Sequence, residues 1–111
     1  MPPTPPAAPT ALSDALNRLW ARFLPEIENR VSILEVAAKA CTDGCLSQEH
    51  RDAAHAAAHK LAGILGTFGL HRGTDLARQV ELEFGEKLTR SDASQLSQWI
   101  AELRSVIDRR Q

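Results

Sequence analysis

Three of the chain's four histidines, His50, His55 and His59, fall within the ten residues HRDAAHAAAH. Imidazole is the side chain whose charge changes near neutral pH, so it serves as nucleophile, proton carrier or metal ligand. His55 and His59 stand four apart, on one face if the segment is helical, and that spacing can chelate zinc. Cys41 and Cys45 lie close enough in sequence to approach them. Against a metal centre, neither histidine is followed by glutamate in the metalloprotease manner, two ligands on one helix leave the shell incomplete, and Cys41 fits an apolar stripe. His59 has a second peculiarity. It is the second residue of AHKLAGILGTFGL, in which Gly63, Gly66 and Gly69 crowd into seven residues. Each glycine costs a helix interior about 0.8–1 kcal/mol relative to alanine.

The elements that must position these residues follow from apolar spacing. Leu12, Leu16, Leu19 and Phe23 form one helical stripe. Ile27, Val31, Leu34, Ala38 and Cys41 form a second, with Pro25 suited to a first helical turn. Gly44 is placed to stop that helix. Ser47 is a good N-cap for a third helix, whose stripe is Ala54, Ala57, Ala58, Leu61, Leu65 and Phe68. A fourth begins between His71 and Thr74, carries Leu76, Ala77, Val80 and Phe84, and ends near Gly85. Ser91 caps a fifth with Leu96, Trp99, Ile100, Leu103, Val106 and Ile107. No segment alternates with period two long enough for a strand. Short links between amphipathic helices force antiparallel neighbours. The expected fold is all-α, an antiparallel four-helix bundle with an additional N-terminal helix.

Five of the first nine residues are proline, so residues 1–10 read as a tail or linker and residues 11–111 as one domain. The chain has 43% apolar and 24% charged residues with a net charge of -1, which does not favour nucleic acid. No apolar run approaches the roughly 18 residues of a membrane span. MPPTPPAAPT lacks the features of a secretory signal, and two cysteines make no disulfide framework, so a cytoplasmic setting is expected.

At about 100° per residue, His59 lies roughly 140° from the centre of the third helix's stripe and faces away from the core. Asp52, His55, Ala62, Gly63 and Gly66 share its side. An imidazole there stands over a low surface that a second protein can approach. Gly63, one turn on, clears that approach. Gly66 either does the same or admits a neighbouring helix, and Gly69 ends the helix.

At these residues the chain resembles the histidine-containing phosphotransfer (HPt) domains of two-component and phosphorelay signalling. The family pattern is histidine, a hydrophobic residue two later, a glycine four later and another ten later, matched by His59, Leu61, Gly63 and Gly69. GTFG, Gly66 to Gly69, is close to members attached to chemotaxis-type kinases and response regulators. The resemblance extends into GTDLARQVE and back to LWARF. It implies an antiparallel helical bundle in which His59 exchanges a phosphoryl group with the aspartate of a response-regulator receiver domain. The implied partners are that receiver, a hybrid histidine kinase, or both. It implies a monomer, and the charge balance and the lack of a long apolar run add the expectation of no nucleic-acid and no membrane partner. No cofactor of its own is implied, since Mg2+ sits on the receiver. No GxxxxGK[ST] or other nucleotide motif is present, so no kinase or ATPase activity is expected.

The resemblance also assigns neighbours. In chemotaxis-type kinases a glutamate 22 residues after the histidine hydrogen-bonds the non-reacting ring nitrogen, and the matching residue is Glu81. Its place, about 90° from its helix's apolar centre, suits a seam between helices. Many members carry lysine three residues after the histidine. Here that residue is Ala62, while Lys60 follows His59 directly and is the expected phosphate neighbour. His55, Ala62, Gly63 and Gly66 are the expected partner-binding surface. Two alternatives stand beside phosphotransfer: an adaptor that docks a receiver without being phosphorylated, and a metal-binding helical domain using His55 and His59.

Overall fold

The computed structural model describes the backbone of residues 7–85 and 92–110. Four helices account for nearly all of it: α1 (Ala7–Thr42), α2 (Gln48–Thr67), α3 (His71–Gly85) and α4 (Ala93–Arg109). No strand occurs among the described residues. α1 packs against α2 and α4, and α3 packs against the same two, so the helices form a closed ring in chain order. The all-α bundle expected from periodicity is the fold observed. Residues 1–6 of the proline-rich start and Ser91, the expected cap, lie outside the described residues.

The additional N-terminal helix is present as the first half of α1 rather than as a separate element. α1 runs 36 residues with Pro25 in its interior. An internal proline removes a backbone bond and costs about 3 kcal/mol. The core-facing register explains why the helix nevertheless continues. Trp20, Leu24, Ile27, Val31, Leu34, Ala38 and Cys41 alternate spacings of four and three across the proline, and all but the half-buried Leu24 are buried. Each large apolar side chain so placed contributes about 1.5–3 kcal/mol, and breaking the helix at Pro25 would rotate one half of the row away from the core. Pro25 and Ala21, one turn earlier, are both exposed, so the carbonyl that loses its partner is near water.

The first expected stripe is corrected by the same geometry. Leu12 is 61% exposed, Leu16 and Leu19 are only half-buried, and Trp20 is the residue that enters the core. At about 1.5 Å per residue α1 is nearly twice as long as α2, so its start has no helix beside it.

Helix ends follow the sequence closely. Ser47 Oγ accepts the His50 amide at 3.0 Å and caps α2. Gly44 and Gly69 take positive φ, 74° and 70°, which L residues avoid. At the end of α2 the Leu70 amide donates to the Leu65 carbonyl at 3.0 Å and the Gly69 amide to Gly66 at 3.1 Å, a Schellman closure. The chain then turns directly into α3.

α2 and α3 lie close because their facing residues are small. Ala54, Ala57, Ala58, Ala62 and Ala77 are all buried. Gly73 is the tightest point, where an added Cβ would meet Leu65 Cδ1 at 3.0 Å and Val106 Cγ1 at 3.3 Å. On the opposite side, Arg104 ties α4 to α1. Its Nε and Nη2 donate to Glu35 at 2.9 and 3.1 Å, and its Nη1 to Glu28 at 2.9 Å. Those carboxylates raise the Arg104 pKa and hold the guanidinium charged.

Candidate functional site

α2 presents His59 outward because its buried face is occupied by Ala58, Leu61, Ala62 and Leu65. The His59 side chain is 71% exposed. Its Nδ1 lies 2.9 Å from Glu81 Oε2 on α3. A carboxylate only accepts, so the proton of this bond sits on Nδ1 and the lone pair of the neutral ring is on Nε2. Glu81 is held at the α2–α3 seam, its side chain 21% exposed, one turn after the buried Ala77 and beside the buried Val80. The chain therefore builds an exposed imidazole with one nitrogen tethered and the other free for an incoming electrophile.

His55, one turn earlier, points to the same carboxylate. Its Nε2 is 3.9 Å from Glu81 Oε2, beyond hydrogen-bonding distance, and its ring lies over Gly85. Gly63, one turn after His59, is exposed, and a Cβ added there would meet nothing within 4 Å. The ring and Gly63 form a ridge between two open depressions. One, of about 310 Å³, lies toward α1 and is lined by Phe23, Lys60, Ile64, Thr67 and Phe68 as well as the ridge. The other, of about 400 Å³, lies toward α3 and is lined by Ala62, Arg78, Glu81 and Leu82. Phe68 is fixed there by edge-on packing with Trp20, the ring centroids 5.1 Å apart.

Of the residues singled out from sequence, His59, Glu81 and Gly63 come together, with His55 beside them. Lys60 is exposed and lines the depression away from Glu81. Gly66 is exposed, and an added Cβ would stand 3.5 Å from Thr74 Oγ1, an ordinary contact. Ala62 departs from expectation: it is only 7% exposed. α3 covers it, and the Thr74 hydroxyl donates to its carbonyl at 3.3 Å. The buried arc of α2 is wider than the single stripe because α1 and α3 both pack on it. Ala62 thus forms the floor of the α3-side depression rather than an open face.

Arg78 was missed. Its spacing of three before Glu81 was the available signal, since residues so spaced share a helix face. The two-histidine metal alternative gains no third ligand: among the described residues no three His, Cys, Asp or Glu side chains are placed to hold a metal ion. Cys41 is buried in the core, and burial, with Asp92 adding to it, pushes its thiol pKa up, disfavouring the thiolate a metal needs.

Comparison with known proteins points one way. The family model described as Hpt domain matches residues 18–109. The chain is similar to Protein RcaC of Microchaete diplosiphon, with 33% identity over 95 residues that make up 84% of this chain and 15% of that protein. It thus spans about 15% of the length of this curated relative. No solved structure matches.

Proposed function

The chain belongs to the Hpt domain family, and on that premise we propose that it relays phosphate through His59, taking a phosphoryl group from a receiver-domain aspartate or returning it. Hpt domains are phosphotransfer carriers of phosphorelays rather than kinases. The observation that carries the assignment to this residue is the 2.9 Å contact between Nδ1 and Glu81 on a ring 71% exposed, beside a glycine with open space around it. Glu81 orients the ring and holds its Nδ1 proton, as a carboxylate does for histidine in other nucleophilic sites. Nε2 attacks phosphorus in line with the departing carboxylate. This domain contributes position and nucleophile, and the partner receiver contributes the metal ion and most of the polar groups.

His55, Gly63 and Gly66 form the docking surface around the ring, with Ala62 at its floor. A monomer in the cytoplasm, where receivers and hybrid kinases act, fits this role. Among the described residues no helix is long and apolar enough to cross a membrane.

The test is incubation of the purified protein with each receiver domain of its source genome, charged with radiolabelled acetyl phosphate. Wild type should acquire an acid-labile, base-stable label that His59→Gln lacks. Absence of label from every receiver, or equal labelling of His59→Gln, overturns the assignment. A receiver that binds wild type and His59→Gln equally and labels neither identifies an adaptor instead, the reading that Ala62 at the lysine position favours.

A further inference from the structure

Two cations flank the His59 ring, and they stand in different depressions. Lys60 lines the one toward α1, beside Phe23 and Phe68, whereas Arg78 lines the one toward α3 with Glu81 and Ala62. We propose that Arg78 is the phosphate-binding cation of this domain, its guanidinium reaching over Ala62 to the oxygens of the phosphoryl group on His59 Nε2. This rests on the phosphotransfer function above.

Arg78 and Glu81 are three apart on α3 and share a face. Because Glu81 is fixed 2.9 Å from ring Nδ1, the Arg78 backbone is within about one helical turn of the residue that tethers the ring. The long side chain spans the remainder. Between them lies Ala62, which presents only a methyl group at the floor of the depression that Arg78 lines. Arg78 is also available. It is exposed, and among the described residues it has no ion-pair partner, whereas Arg72 and Arg104 are each bidentate to a carboxylate. A guanidinium with open donors matches a phosphoryl group bidentately, which an ammonium does not. Lys60 follows His59 by one residue and leaves the helix about 100° away, on the aromatic side of the ridge.

The step balances without any further group. The Nε2 lone pair forms the N–P bond as the acyl O–P bond of the aspartyl phosphate breaks. The bonding electrons leave with the aspartate carboxylate, and the Nδ1 proton stays between the ring and Glu81. Arg78 takes up the charge on the phosphoryl oxygens during transfer and in the phosphohistidine that results.

The experiment measures transfer at increasing concentrations of a receiver that labels wild type, using wild type, Arg78→Ala, Arg78→Gln, Arg78→Lys and Lys60→Ala. Arg78→Ala and Arg78→Gln should lower the maximal transfer rate about tenfold with the melting temperature unchanged, since a preorganised donor at developing charge acts on the chemical step. Arg78→Lys should recover part of the rate, and the deficit should shrink in about 1 M salt, where screening shortens to about 3 Å. A wild-type maximal rate in Arg78→Ala overturns the proposal. So does a loss confined to the half-saturating receiver concentration, or a larger loss in Lys60→Ala. Each of those results leaves the label on His59, so the phosphotransfer function would stand; absence of label on wild type is the separate result that removes both.

Discussion

Substitution of Gly63 separates what a helix wants from what this site needs. A Cβ built at Gly63 meets nothing within 4 Å, so neither packing nor backbone conformation demands glycine there. Gly63→Ala should therefore recover the propensity difference, about 0.8–1 kcal/mol. For a domain of this size that is a rise in melting temperature of about 4 °C. Gly63→Leu should fold at least as stably as wild type, because leucine is nearly as good a helix former. Its effect on function should be the reverse. Helical side chains lean toward the N-terminus and cover the preceding turn, and the preceding turn here carries His59. The added isobutyl group would stand between Nε2 and the receiver, and displacement of reacting atoms by about 1 Å costs about 100-fold in rate. Thermal unfolding by circular dichroism reads the first effect and label transfer from a charged receiver reads the second. Gly69→Ala provides the contrast. At φ 70° it should lose stability, by about 1–2 kcal/mol, without covering the ring. The reasoning is refuted if Gly63→Leu is destabilised, or if it is stable and transfers phosphate at the wild-type rate.

Glu81→Ala should slow transfer about tenfold with helix content unchanged, since a hydrogen bond to a charged group in a half-open site is worth about 1.5 kcal/mol; unaltered kinetics would remove Glu81 from the mechanism. The Arg72–Glu102 pair, 2.6 Å apart between α3 and α4, should make stability acid-sensitive. The hydrogen bond from Arg72 lowers the Glu102 pKa, so the contribution is complete above the unfolded value near pH 4.3 and fades as pH falls through the folded value. Urea midpoints of wild type and Glu102→Gln should differ slightly at pH 6 and draw together as pH falls through the folded value; a constant gap would show that the ion pair is not the cause.

Much of this was legible in the chain. The spacing of Leu61 and Leu65 set which way His59 faces, Ser47 marked the start of its helix, and Gly44 and Gly69 marked helix ends. These are local properties, fixed by residues within a turn or two. Pro25 was misleading because local rules favour a break there, while the row from Trp20 to Cys41 binds both halves to one core. An angular count on one helix sets Ala62 on the open face because it does not include the width of the neighbouring helices. Arg78 went unnoticed for a related reason: its proximity to His59 exists only once α2 and α3 are in register. That register depends on Gly73 and the facing alanines, whose small size gives no periodic signal of its own.

The order in which the ring of helices closes has a consequence for folding. α2 and α3 are joined by residues 68–70, the shortest described link in the chain, whereas the α1–α4 seam joins residues 69 and 76 positions apart through Arg104. Loop-closure entropy makes the near pairing fast to form and the distant one slow. The tethered imidazole belongs to the pairing that closes first, so His59 and Glu81 meet before the terminal helices do.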